Sequence, residues 1–144
     1  SHRRVLCASP AYLARHGAPA TPHELSGHDC LCFMLHDEVH DRWRFSLGEA
    51  APVTVRVKSV NVSNDGDAVR RWALLGKGIA YKSFFDIASD LAQGRLLPLC
   101  TDWTTEATPL YLVVPDRRQL TPLLRALRAF MGERLAALQA QASA

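Results

Sequence analysis

Short apolar runs alternate with amphipathic stretches along the whole chain. Arg4-Val5-Leu6-Cys7-Ala8 reads as an apolar strand. Ser9 and Pro10 follow as an N-cap and a proline at the first helical position, predicting a helix through Tyr12 and Leu13 that ends near Gly17. Thr21 and Glu24 have capping-box spacing, which predicts a second short helix in which each side chain satisfies the other's exposed N–H. Cys30-Leu31-Cys32-Phe33-Met34-Leu35 reads as a buried strand, and His36 to Asp41 as a polar turn. Trp43 to Leu47 and Val53 to Val57 alternate apolar and polar positions on either side of Gly48-Glu49, the pattern of a hairpin of half-buried strands.

The alternation continues in the second half. Asn64 to Asp67 makes a helix entrance, Trp72 and Leu75 lie on the apolar stripe that follows, Gly76 stops it, and Gly78-Ile79-Ala80-Tyr81 is a short strand. Ser83 and Asp86 repeat the capping-box spacing ahead of a helix striped by Phe84, Ile87, Ala88 and Leu91 and closed by Gly94. Arg95 to Leu99 is a short strand that Pro98 confines to an edge. The polar stretch Asp102 to Thr108 is the best candidate for a crossing between lobes, and Leu110 to Val114 has the continuous apolar character of a strand buried on both faces. A last helix opens at Thr121-Pro122. Its wide stripe runs through Leu120, Leu123, Leu124, Leu127, Phe130, Met131, Leu135 and Leu138. Strands alternating with helices place the chain in the α/β class.

The segment from Asn64 to Ser83 carries the most chemistry. A helix headed by Asn64 and Asp65 turns backbone N–H groups toward whatever lies in front of it. The next strand ends in Lys82 and Ser83, polar residues at the carboxyl end where α/β sheets hold ligands. Asp65 weakens a simple anion site, so the donors are the backbone N–H groups, Asn64 and above all the cation Lys82. Ser9 is a helix cap first and a cleft residue second.

Composition changes this picture little. The 144 residues are 48% hydrophobic and 22% charged, and a net charge of +3 is too slight to argue for nucleic acid. No apolar run approaches membrane-spanning length, so no membrane partner is expected; no cofactor is expected either. Cys30 and Cys32, two apart on one strand, stand roughly 6.5–7 Å apart at Cα, at or beyond disulfide reach. Together with Cys7 and Cys100 they read as buried thiols.

Five ordered pieces carry a family resemblance: Arg4 to Leu13; Leu25 with His28-Asp29-Cys30-Leu31; Asn64-Asp65; Gly76-Lys77-Gly78-Ile79-Ala80; and Gly94 to Leu99 followed by Pro109-Leu110-Tyr111. The set resembles the effector-binding domain of a LysR-type transcriptional regulator. The resemblance implies a type II periplasmic-binding-protein-like fold of two α/β lobes joined by crossing strands, with a small inducer in the cleft. Residues 1–103 would form the second lobe, and residues 104–144 the crossing strand and C-terminal helix of the first, the rest of that lobe and the DNA-binding domain being absent. It further implies a cytoplasmic homo-oligomer that reaches DNA only through that absent domain, and an allosteric sensor, not an enzyme. In the family the region of Asn64 and Asp65 faces the cleft, and Lys82 and Ser83 sit where the second lobe offers polar groups. Lys82 and the helix terminus at Asn64 point to a small carboxylate or an aromatic acid as the expected inducer. The strand at Leu110 to Val114 and the last helix would then lack first-lobe partners, which predicts pairing between chains or packing of the helix back on the second lobe.

Rival readings rest on less. His28, Cys30 and Cys32 would share a strand face with His36 and His40 close by, a set that could hold zinc or copper, or act as a redox sensor. Asp37, Glu38 and Asp41 dilute that loop with solvated charge. A periplasmic solute-binding lobe shares the fold class. There is no Gly-x-Ser-x-Gly elbow, phosphate-binding glycine loop or His-Glu-x-x-His helix to support catalysis.

Overall fold

A computed structural model describes residues 2–114, 116 and 121–142. Its centre is a six-stranded mixed sheet. β1 (Arg4–Ala8) lies antiparallel to both β7 (Ile79–Ser83) and β8 (Leu97–Pro98), whereas β2 (Cys30–Leu35) runs parallel to β7 and to β6 (Ser59–Ser63). β3 (Glu38–Val39) extends β2 antiparallel. A second, three-stranded sheet places β4 (Arg42–Ser46) between β5 (Val53–Arg56) and β9 (Thr104–Thr105).

Period-two alternation divides the core into two layers. Leu6, Ala8, Cys30, Cys32, Ile79 and Tyr81 face the small sheet, where they meet Trp43, Phe45 and Val55 together with Tyr12 of α1 (Pro10–His16). Cys7, Leu31 and Ala80 face the other way, onto Val69 and Ala73 of α2 (Gly66–Leu74) and Ile87 of α3 (Phe84–Ala92). Cys30 and Cys32 therefore share a face, and all four cysteines are free thiols. Burial pushes the thiols of Cys7 and Cys30 up to about 12, so neither presents a thiolate near neutrality.

The Gly76-Lys77-Gly78 turn shows what its glycines are for. Gly76 sits at φ +70°, and its carbonyl accepts the Arg15 guanidinium at 2.7 Å, which ties α1 to the turn. A Cβ on Gly78 would lie 2.6 Å from the backbone oxygen of Asp29. Only glycine lets β7 start this close to β2.

Several expectations change. The Thr21–Glu24 box does not form around an α-helix: Pro22–Gly27 is a 3-10 turn, the Thr21 side chain caps nothing, and the Glu24 carboxylate accepts the Ala20 N–H at 3.0 Å. Ser83 likewise makes no cap bond at α3, because its hydroxyl pairs with His2 Nε2 at 2.9 Å. Residues 110–114 form no strand, and Val113 is 82% exposed. Among the described residues there is no strand to pair with this run, and an apolar sequence cannot make a sheet alone. α4 (Pro122–Ala142) does form, with Leu127, Phe130, Met131 and Leu138 all exposed and Leu123 78% exposed. It touches α3 along part of its length. Leu120 of its expected stripe lies outside the described residues.

Residues 2–4 and 106–108 run antiparallel as a two-stranded crossing. Arg4 N–H donates to Glu106 O at 3.0 Å, and Thr108 N–H to His2 O at 2.8 Å. The Tyr81 hydroxyl locks this crossing to the small sheet by donating to Arg44 O at 3.1 Å and accepting the Glu106 N–H at 3.0 Å.

Candidate effector cavity

The crossing strands, the start of α2 and the ends of β4 and β7 enclose a cavity of about 420 Å³. Three of the residues singled out from the sequence line it: Asn64, Lys82 and Ser83. Ser9 and Asp65 are not among its lining residues. Ser9 is buried as the α1 cap, its hydroxyl accepting the Tyr12 N–H at 3.3 Å. Asp65 is the α2 N-cap and accepts the Asp67 N–H at 2.9 Å, so the head of the helix is partly satisfied from within.

Lys82 is buried and held by two partners. Its Nζ donates to Gly66 O at 2.9 Å and pairs with Asp86 Oδ2 at 2.9 Å. Strand β7 is thereby clamped to the first residues of α2 and α3 at once, and the ammonium charge is matched by a carboxylate in the same wall. Ser83 faces His2, whose ring stacks on Phe85 with centroids 4.1 Å apart. Burial lowers the His2 pKa, with Asp86 opposing, which favours the neutral ring.

Four wall residues were not among the candidate site residues: Arg4, Arg42, Tyr81 and Thr108. Arg4 lies over the Tyr81 ring, 5.6 Å from its centroid, and 3.9 Å from Glu106. Arg42 lies just before the strand expected at Trp43 to Leu47; it is the first residue of β4, and nothing local says which space that position borders. Thr108 comes from the crossing segment. Its Oγ1 is buried without a hydrogen-bond partner, as is His2 Nδ1.

The metal reading finds no geometry. Among the described residues no three His, Cys, Asp or Glu side chains are placed to share an ion. His28 Nδ1 instead bonds the Tyr12 hydroxyl at 3.0 Å, the Cys30 thiol donates toward His28 O at 3.7 Å, and Cys32 is core. His36 is a turn residue at φ 47°, followed by Asp37 at φ 62°, the two left-handed positions of a tight hairpin joining β2 to β3. No helix among the described residues is long and apolar enough to cross a membrane.

Comparison with known proteins fixes the family. The model of the LysR substrate binding domain matches residues 1–136. The HTH-type transcriptional activator TtdR of Escherichia coli K12 is 35% identical over 117 residues, covering 76% of this chain and 37% of TtdR. The HTH-type transcriptional regulator CrgA of Neisseria meningitidis serogroup C is 33% identical over 136 residues, 94% of this chain and 44% of CrgA. The chain thus spans less than half the length of these curated relatives. Among solved structures, the CrgA regulatory domain superposes with a TM-score of 0.72 at 29% identity, over 93% of this chain and 65% of that one. The chain belongs to the LysR substrate-binding-domain family, the effector-binding domains of LysR-type transcriptional regulators, with the α/β fold of type II periplasmic binding proteins.

Proposed function

We propose that this domain senses a small inducer in the cavity between β4, β7, the start of α2 and the crossing strands, and passes its occupancy to DNA-binding domains elsewhere in a cytoplasmic, oligomeric regulator. Residues 1–103 act as the second lobe and residues 104–144 contribute to the first. The observation that carries the reading is the convergence of Asn64, Lys82 and Ser83 with residues of the crossing segment on one cavity. A ligand there touches both the lobe and the strands about which the lobe is set. Its effect on transcription equals its difference in affinity between the two settings of the lobes, since equal affinity shifts nothing. The role is regulatory and not catalytic. Native mass spectrometry of the full-length regulator purified from its own host should find a co-purified metabolite of a few hundred daltons at most, one per occupied domain. A protein free of any such adduct, prepared from cells in which its target promoter is induced, would contradict the reading.

A further inference from the structure

The charges of the cavity wall do not balance, and the imbalance has one address. Lys82 is matched by Asp86 at 2.9 Å and Arg4 by Glu106 at 3.9 Å. Arg42 lines the same cavity and, among the described residues, has no carboxylate, carbonyl or ring partner. Its position sharpens the point. In the β4–β5 ladder Arg42 stands directly opposite Arg56, a like-charge pair that disfavours the sheet. Arg56 is relieved by Asp41, at 3.0 Å from its Nε. Arg42 is left as the unmatched cation of a wall whose other charges are paired. Thr108 of the crossing strand lines the same cavity, and its hydroxyl is buried there without a hydrogen-bond partner. A buried polar atom without a partner is costly, and a bound oxygen atom would remove that cost.

We propose that Arg42 is the residue that recognises the inducer's charge, that the inducer carries a carboxylate, and that Thr108 takes a hydrogen bond from or to the same molecule. Lys82, the cation most conspicuous in the sequence, holds β7, α2 and α3 together and contributes its charge only against Asp86. This assignment rests on the cavity being the inducer site. Arg42 belongs to the second-lobe sheet and Thr108 to the crossing strand, so a molecule bound to both reports on their relative setting. The guanidinium fork suits a carboxylate through two parallel N–H···O bonds.

The test uses the full-length regulator and matched probes: benzoate against benzamide and succinate against succinamide, titrated by calorimetry and by tryptophan fluorescence, since Trp43 lines the cavity. The wild type should bind at least one carboxylate about tenfold or more tighter than its neutral amide. Arg42→Gln should abolish that preference, Arg42→Lys should keep part of it, and Thr108→Val should weaken acid and amide alike. Arg42 is exposed and faces Arg56, and Thr108→Val removes an unpartnered buried hydroxyl, so no variant should melt below the wild type, which separates recognition from folding. A wild type that prefers no carboxylate, or a preference that survives Arg42→Gln, overturns the assignment. Neither result touches the inducer cavity itself, which is tested by the mass-spectrometric adduct and by where that metabolite slows hydrogen exchange.

Discussion

Replacing Asp90 with alanine is expected to cost this domain about 3 kcal/mol of stability. Asp90 is completely buried on α3 and is the common acceptor for two arginines from different elements. Arg70 of α2 reaches it with Nε at 2.5 Å and Nη2 at 3.0 Å, and Arg95 of the following turn with Nε at 2.9 Å and Nη2 at 2.6 Å. The carboxylate therefore fixes the angle between the two helices that flank the cavity floor. Removing it strands the Arg95 guanidinium and leaves Arg70 only Asp67, and because both arginines still reach water the loss falls at the low end of the range for breaking a buried pair. Burial alone would push the Asp90 carboxyl up, but hydrogen bonds from Arg70 and Arg95 outweigh it and hold the group below the usual carboxylate range. A group whose folded pKa is depressed lends stability above its unfolded pKa and loses it as pH falls. Urea unfolding should accordingly show the wild type losing stability below about pH 4, with Asp90→Asn less stable at pH 7 and flatter in acid. Equal stability of wild type and Asp90→Ala at neutral pH would remove the triad from the account.

Lys82→Ala is expected to weaken the transcriptional response to inducer about tenfold or more, some 1.4 kcal/mol. Two effects act in the same direction. The variant unties the start of α2 from β7 by deleting the bond to Gly66 O, and it leaves Asp86 as an uncompensated negative charge in the cavity wall. An anionic inducer then meets repulsion where it met a neutral pair. Lys82→Ala combined with Asp86→Ala should recover part of the loss, because the double variant restores charge balance without restoring the clamp. Reporter dose–response curves measure both. A double variant as impaired as the single one would show that the clamp alone matters.

The sheet and helices were largely legible because their code is local. Leu6, Cys7 and Ala8, or Ile79, Ala80 and Tyr81, assign themselves to opposite faces by alternation, and the two core layers follow. β6 escaped because Ser59-Val60-Asn61-Val62-Ser63 is an exposed edge whose strand character comes from pairing with β2. The two failed capping boxes fail for different reasons: Glu24 is taken by the neighbouring Ala20 N–H, and Ser83 by a distant residue. Local spacing made Ser83 a cap, but a residue 81 positions away in sequence, His2, takes its hydroxyl. The apolar run at 110–114 states a demand for partners and cannot supply them. At the cavity the sequence marked the element ends, where Asn64, Lys82 and Ser83 stand, and missed Arg42, Arg4 and Thr108, which reach it through the small sheet and the crossing strands. It also could not show that Lys82 is neutralised, since Asp86 is only one of several acids nearby in sequence.

Hydrogen exchange on the full-length regulator, comparing the protein as isolated with its co-purified metabolite against the same protein stripped of it, tests the central claim most directly. The metabolite should slow exchange at the start of α2 around Asn64 to Val69, at Lys82 to Asp86 and along the crossing segment 104–108, with little change in α1. Protection confined to other surfaces, with these three segments exchanging at the same rate in both states, would place the inducer outside this cavity and contradict the account.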